Sequence, residues 1–424
     1  MRNRIAITIK KRSQPGWLMW LLIMLPFLFG TLKDFLGLPW GIRYILDIAW
    51  LWLLVAMVSR SNAKGKADNM LSFWVLLFLI YSAVSYLVLY QSAWYYLWGM
   101  RNIFRFFVAF FAFKLYLKPK DIQGYFTLFD ILFWINIAMS LYQYFFMDTT
   151  GDYLGGIFGT AQGANGYTNI FFVIMVAKNI LFYLEKKERL SKCILELAAM
   201  LMVAALAELK FFFAECILLL VLAVLFTDFT WRKLLVIFGG LILVSTGAVI
   251  LALVFPSSEG FLSLDFFLEI GASDKGYTSS GDLNRLNAIP RINELWLKTG
   301  WQRMFGLGLG NCDTATYTFL NTPFFEAYGD MHYTWLSYAF MYLECGWIGL
   351  IFYFGFFVLV YLSIRRIEKR SAGIAKTYCR MGRILALMCM LIAIYNSSLR
   401  TEAGYMMYFA LSIPFVMQKQ KVAV

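Results

Sequence analysis

The chain has 424 residues, of which 61% are hydrophobic, 19% aromatic and only 15% charged, and its mean hydropathy is +0.66. This composition excludes a soluble globular domain, because a water-exposed surface of this kind would be insoluble. The formal net charge of +13 comes mostly from Lys and Arg clusters between apolar runs. It therefore indicates membrane topology and not a nucleic-acid partner.

Apolar runs long enough to cross a hydrocarbon core of roughly 30 Å as helices recur along nearly the whole chain. We predict an all-α, polytopic bundle of about twelve transmembrane helices. The predicted spans are 17–34, 42–59, 70–90, 95–116, 125–146, 169–184, 191–208, 211–227, 234–255, 338–363, 381–398 and 403–418. Two adjacent pairs, the fourth with the fifth and the seventh with the eighth, are the weakest predictions, because arginines or a Glu-Xaa-Lys sequence interrupt their apolar pattern.

Basic residues fall on every second connection, beginning with the N-terminus. The clusters are Arg2 to Arg12, Arg60 to Lys66, Lys114 to Lys120, Lys186 to Lys192, Arg232 with Lys233, Arg365 to Arg383, and Lys419 with Lys421. Because such clusters are retained in the cytoplasm, both termini are predicted to be cytoplasmic. We expect no cleavable signal peptide, since the first apolar run is too long and lacks an Ala-Xaa-Ala site.

This topology divides the chain into three parts. Residues 1–255 hold the first nine helices, residues 256–332 form a large extracytoplasmic loop with short amphipathic helices, and residues 333–424 hold the last three helices. The loop is rich in Gly, Ser, Asn and Asp, as a segment that handles a water-soluble group would be. The six cysteines are scattered and the chain has one histidine, so we expect no metal, no disulfide framework and no cofactor.

Within the loop, Pro290 is placed to begin a helix in which Ile292, Leu295 and Trp296 repeat at helical spacing. Such a helix would lie at the membrane surface. The sequence FGLGLG that follows has no preceding strand and no Gly-Lys-Ser. We predict that its glycines form a close-packed turn; contact with a phosphate is the alternative.

Basic residues are few on the predicted outer side, so five of those on that side or in a span are informative against the positive-inside background. Arg101 and Arg105 are four residues apart on one helix face, Lys210 lies between two short spans, and Arg285 and Arg291 flank Pro290 in the loop. A basic pair within a span is costly unless it faces a polar cavity or an anion. Because guanidinium forks match phosphate oxygens, these five are candidate diphosphate ligands.

Each candidate also has a structural interpretation. Arg101 and Arg105 would instead reach the interface or pair with acids such as Asp47 or Glu215. Lys210 would be neutralised by Glu208, two residues away. Arg285 and Arg291 would be ordinary solvated loop charges.

His332 is the only histidine, and it lies where the polar loop re-enters the membrane. Its ordinary pKa of about 6.5 suits either a proton acceptor or a hydrogen-bond partner of a substrate. Asp282, Glu326 and Asp330 are secondary candidates for a base, each with solvated loop charge as its alternative interpretation.

The order of these elements resembles the O-antigen polymerase and O-antigen ligase superfamily. The resemblance consists of outer-loop arginines, a Trp-bearing helix, GLGLG at 306–310, His332, and ECGWIGL at 344–350. The segment GGIFGTAQGANGYTNIFF at 155–172 and the twelve-span layout add to it. The chain departs from the family pattern at Tyr333, where Asn or Ser often follows the His, and at Lys210, where an arginine is usual.

The resemblance implies a metal-independent glycosyltransferase at the outer face of the bacterial cytoplasmic (inner) membrane. Its donor would be a glycan on undecaprenyl diphosphate, and a polymerase would transfer that glycan to a second lipid-linked repeat unit. His332, Arg285 and Arg291 would be catalytic, and Arg101, Arg105 and Lys210 would bind the diphosphate. A flippase, a chain-length regulator and membrane lipids are the implied partners.

Two alternative functions remain open. An O-antigen ligase would transfer the glycan to lipid A–core. A flippase for lipid-linked oligosaccharide belongs to another class of protein, and it would be expected to show repeat-related halves and polar groups at mid-membrane. We detect no internal repeat, and the polar residues concentrate at the outer ends and in one loop, which disfavours the flippase. Polymerase is preferred over ligase because nothing in the sequence marks a lipid A–core partner and the polymerases of the family that the chain resembles are the more divergent.

Overall fold

A computed structural model describes residues 14–59, 69–89, 91–256, 282–315 and 318–419. The predicted basic clusters Arg2 to Arg12 and Arg60 to Lys66, Lys421, and loop residues 257–281 lie outside the described residues. In the described ranges all regular secondary structure is helical. The helices are α1 (Gln14–Leu36), α2 (Ile45–Ser59), α3 (Asn69–Val88), α4 (Ala93–Tyr116), α5 (Pro119–Phe146), α6 (Ala164–Leu184), α7 (Leu190–Leu206), α8 (Lys210–Phe226), α9 (Trp231–Val254), α10 (Ala288–Leu295), α11 (Gly300–Phe305), α12 (Pro323–Tyr328), α13 (Ser337–Glu368), α14 (Gly373–Tyr395) and α15 (Gly404–Gln418).

The helical class and the multi-pass membrane class are confirmed. Eight helices in the described ranges, α1, α2, α3, α5, α6, α9, α13 and α14, are long and apolar enough to cross a membrane. Helices α7, α8 and α15 have 17, 17 and 15 residues, fewer than the ~20 that a bilayer core requires of a perpendicular helix. Helix α4 is long enough but carries three basic residues. The count of twelve spans stays a prediction, although a helix occupies each predicted position.

Local backbone features separate the two helices within each of the pairs whose spans were the weakest predictions. Helix α4 ends before Leu117, and Pro119 begins α5 with its fixed backbone angle. Between α7 and α8, Glu208 has a left-handed backbone with φ of 52°, which an α-helix cannot continue. Each pair therefore forms two helices joined by a tight turn.

Burial separates central from peripheral helices. In the most apolar stretch of α6, 94% of the residues are buried, against 22% in α2 and α3. Trp52 and Val55 of α2 and Phe73 of α3 are more than half exposed. Such an exposed apolar surface suits contact with lipid tails. Aromatic side chains fill the centre, where the Phe107 and Phe356 ring centres are 4.6 Å apart.

The connections between helices form two ends with different chemistry. At the first, which we call the basic end, Arg232 donates to the carbonyl of Tyr183 at 2.9 Å and Lys419 donates to that of Leu115 at 2.9 Å. The basic end comprises the α4–α5, α6–α7, α8–α9 and α13–α14 connections and the end of α15, which include every predicted basic cluster in the described residues. The α1–α2, α5–α6, α7–α8 and α14–α15 connections contribute residues to a cavity, so we call their end the cavity end.

Candidate functional site

A cavity of about 690 Å³ lies at the cavity end, within the size range of roughly 300–1,000 Å³ typical of ligand sites. Its walls come from the turn before α2, the α5–α6 connection, the α7–α8 turn, residues 285 and 335, and the α14–α15 connection. The charged residues of the lining are Arg43, Lys210, Arg285, Asp152, Glu208 and Glu402. Segments that are distant in sequence thus build one polar site.

Arg285 is held in a fixed orientation at the wall. Its Nε donates to the carbonyl oxygen of Tyr395 at 3.1 Å, and its guanidinium lies 4.2 Å from the centre of the Tyr395 ring. Phe211 stacks on the same ring at 3.6 Å, and the Tyr338 hydroxyl donates to the Arg285 carbonyl oxygen. Cation–π contact and backbone hydrogen bonding preorganise this guanidinium for an anion.

Lys210 also lines the cavity, but as half of an ion pair. Its Nζ lies 3.0 Å from Oε1 of Glu208, and the two side chains are 21% and 32% exposed. This is the local pairing that was the alternative interpretation of Lys210. The pair presents a cation and a carboxylate together at the α7–α8 turn.

Arg105 lies behind the cavity and does not line it. Its side chain is 2% exposed, and its Nη1 donates to Oε1 of Glu402 at 3.1 Å. The Tyr167 hydroxyl donates to the other oxygen of Glu402 at 2.6 Å. Burial alone would raise the pKa of Glu402, but the charges of Arg105 and Arg43 lower it to about 2. Arg105 thus fixes an ionised carboxylate of the lining.

Arg101 pairs with Asp47, as its structural interpretation predicted. Its Nε and Nη2 donate to the two carboxylate oxygens at 3.0 and 2.8 Å, and Nη1 donates to Asn102 at 2.6 Å. Its guanidinium also lies 4.7 Å from the Trp98 ring centre. This bidentate pair joins α2 to α4, and Arg101 is not among the residues of the cavity lining.

The structure does not bring Arg291 to the cavity. It lies on the short helix α10 and pairs with Glu294 at 2.6 Å, with both side chains at least half exposed. The buried face of that helix is formed by Ala288 and Ile292. Arg291 therefore points away from the packed side, as expected for a solvated charge.

His332 lies one side chain away from the cavity. Its ring packs against that of Trp335, which lines the cavity, with 3.8 Å between ring centres and an angle of 31° between the ring planes. Its Nδ1 is 3.6 Å from Oδ2 of Asp282, which is longer than a hydrogen bond. The other two candidate acids, Glu326 and Asp330, are exposed and lie outside the lining.

The glycine turn is close-packed, as predicted, and does not line the cavity. Gly306, Gly308 and Gly310 all have positive φ, at 74°, 104° and 89°. A Cβ on Gly310 would lie 1.9 Å from the Tyr95 carbonyl oxygen, and one on Gly306 would lie 2.4 Å from that of Glu344. Only glycine satisfies both requirements, so the turn is a packing element between α4 and α13.

Three charged residues of the lining, Arg43, Asp152 and Glu402, were not named in the sequence analysis. Arg43 is the only basic residue between Lys33 and Arg60, and counting charges on that connection would have found it. The predicted second span began at residue 42 and hid it inside a helix. Glu402 gave no sequence signal, because its partner Arg105 is 297 residues away.

The described residues contain no group of three or more His, Cys, Asp or Glu side chains that could hold a metal ion. All six cysteines are free and buried. Neither the protein-family models nor the curated proteins with which the chain was compared give a match.

Proposed function

We propose that this chain is a membrane glycosyltransferase that polymerises undecaprenyl-diphosphate-linked repeat units into a surface polysaccharide. The observation that carries the proposal is the cavity itself, whose lining includes Arg43, Arg285 and Lys210 at the end of the bundle opposite the basic clusters. The motif order that resembles the O-antigen polymerase and ligase superfamily supports the same conclusion.

In the proposed topology, all twelve long helices cross the bacterial cytoplasmic membrane. The basic end faces the cytoplasm, in agreement with the positive-inside rule, and the cavity faces outward. This is the side on which lipid-linked repeat units are joined in the proposed reaction. Helices α7, α8 and α15 have fewer residues than a full crossing requires, and local thinning of the bilayer around the site would let them span it.

The proposed chemistry needs cations at the leaving group. When an acceptor hydroxyl attacks the anomeric carbon, the bond to the diphosphate breaks and its electron pair leaves with the lipid. Arg285 and Arg43 would stabilise that developing charge, as fixed guanidinium groups do best. His332, behind Trp335, would contribute a hydrogen bond from the outer edge of the site.

Reconstitution tests the proposal. Purified protein in liposomes, supplied with lipid-linked repeat units and neither nucleotide sugar nor divalent metal, should lengthen the glycan on the lipid carrier. A strict requirement for a nucleotide sugar would contradict it. Transfer to lipid A–core without any chain growth on the carrier would instead identify the ligase.

A further inference from the structure

The cavity lining contains three carboxylates, and a glycosyl transfer needs one base to accept the proton of the acceptor hydroxyl. They are Asp152, Glu208 and Glu402. His332 is outside the lining, at the far side of Trp335. The contacts of the three carboxylates decide which of them is available to accept a proton.

The carboxylate of Glu402 has a structural role. Both of its oxygens accept hydrogen bonds, one from Arg105 and one from Tyr167, at 3.1 and 2.6 Å. Those charged and polar contacts hold its pKa near 2 against the opposing effect of burial. A carboxylate so strongly stabilised in its ionised form is a weak base.

Asp152 stabilises the wall of the cavity through hydrogen bonds. Its Oδ1 accepts a hydrogen bond from Asn165 Nδ2 at 2.9 Å, and the same nitrogen donates to the carbonyl of Ala207 at 3.1 Å. Asp152 and Asn165 together thus support the residue that immediately precedes Glu208. Their contacts position the α7–α8 turn.

Glu208 is aimed into the cavity by that turn. Its left-handed backbone, with φ of 52°, reverses the chain, and the Lys210 amide donates to the Glu208 carbonyl oxygen at 2.8 Å. Its carboxylate is 32% exposed and is oriented by Lys210 Nζ at 3.0 Å. An unfavourable backbone angle at a non-glycine residue that lines a cavity is typical of functional positions.

We propose that Glu208 is the general base of the transfer and that Lys210 positions it; this inference rests on the proposed function. The acceptor oxygen forms its bond to the anomeric carbon, and its proton passes to the Glu208 carboxylate. The bond from that carbon to the diphosphate breaks, and the electron pair leaves with the lipid diphosphate near Arg43 and Arg285. The cavity then has a base at the α7–α8 turn and separate cations for the leaving group.

The matched substitutions Glu208→Asp and Glu208→Asn test this assignment. Asp and Asn have the same shape and both tolerate a left-handed backbone, but only Asp has a carboxylate that can accept the proton and pair with Lys210. In the reconstituted chain-growth assay, kcat for Glu208→Asn should be about 100-fold below that for Glu208→Asp, with an unchanged KM. Glu294→Gln, which removes an exposed carboxylate outside the cavity, is the control and should match the wild type.

Equal kcat values for the Asp and Asn variants would overturn the assignment of Glu208. If the Asn variant is unstable, Glu208→Gln keeps the side-chain length, and wild-type turnover by that variant would equally overturn it. If the wild type makes no polymer at all, the proposed function fails instead. The wild-type control therefore separates the two failures.

Discussion

Charged side chains are arranged differently at the two ends of the bundle. At the basic end, Arg380 alone contacts Glu185, Asp228 and Glu368, and further Lys and Arg side chains lie exposed around it. Among the described residues, the cations that line the cavity are Arg43, Lys210 and Arg285, and two of them have fixed partners: Lys210 pairs with the Glu208 carboxylate and Arg285 lies on the Tyr395 ring. A large number of cations at one end suits membrane topology, whereas a small set around one cavity suits recognition of one anion.

The largest effect should come from the buried pair behind the cavity. Arg105→Met leaves the Glu402 carboxylate buried without its main counter-charge, which we expect to lower the free energy of unfolding by about 3–5 kcal/mol. Thermal unfolding in detergent measures it. Arg365→Met, at the basic end, should change stability by less than about 0.5 kcal/mol. Equal losses would remove the distinction between the two ends.

Acid should weaken the cavity end through Glu402. Its pKa of about 2 in the fold compares with an ordinary value of about 4.3. The stabilisation is therefore complete above about pH 4.3 and is lost as the pH falls towards 2, a loss of about 3 kcal/mol. Unfolding measured from pH 7 to pH 2 should show this decline in the wild type and not in Glu402→Gln. A decline of the same size in both would assign it to other groups.

Arg285→Ala should reduce chain growth by about 100-fold, because one preorganised donor to the leaving group is lost. Arg285→Lys should recover only part of the rate, since an ammonium lacks the planar fork. Lys298→Ala removes an exposed cation from the same loop and is the matched control. An Arg285→Ala rate within threefold of the control would show that the cavity wall does not bind the diphosphate.

The smallest effect should come from Arg291→Ala. Its exposed pair with Glu294 contributes about 0–1 kcal/mol to stability, and it lies outside the cavity lining. We expect chain growth and melting temperature close to those of the wild type. A loss as large as that of Arg285→Ala would restore the prediction made from sequence and would require another site on α10.

Arg285 and Arg291 show how far sequence could go. Both flank Pro290 in one polar loop, so no local pattern distinguishes them. They separate only because α10 begins at Ala288, which leaves Arg285 in an irregular segment that reaches Tyr395 and puts Arg291 on an exposed helix face. Sequence predicts the loop charges, and tertiary packing selects between them.

The helix positions were predictable because apolar length is a local property of the chain. The residues of the candidate site were harder to predict from sequence. Lys210 could be found because it lies alone between two short spans. Arg43 could be found by counting charges on the connection before α2, if that helix is taken to begin after residue 43. The pairing of Arg105 with Glu402 could not be found, because it depends on how α4 packs against α15.

Sided labelling tests the central claim most directly, namely that the cavity faces outward and binds a lipid diphosphate. The six native cysteines are buried, so a membrane-impermeant maleimide should report introduced cysteines with little background. Gln162→Cys places one at the cavity wall, and Ala372→Cys places one in the α13–α14 connection at the basic end.

We predict that in intact cells only Gln162→Cys is labelled, and that Ala372→Cys reacts only after permeabilisation. In purified protein, undecaprenyl diphosphate should slow labelling of Gln162→Cys and leave that of Ala372→Cys unchanged. Labelling of Ala372→Cys from outside, or a Gln162→Cys rate that undecaprenyl diphosphate does not change, would contradict the account.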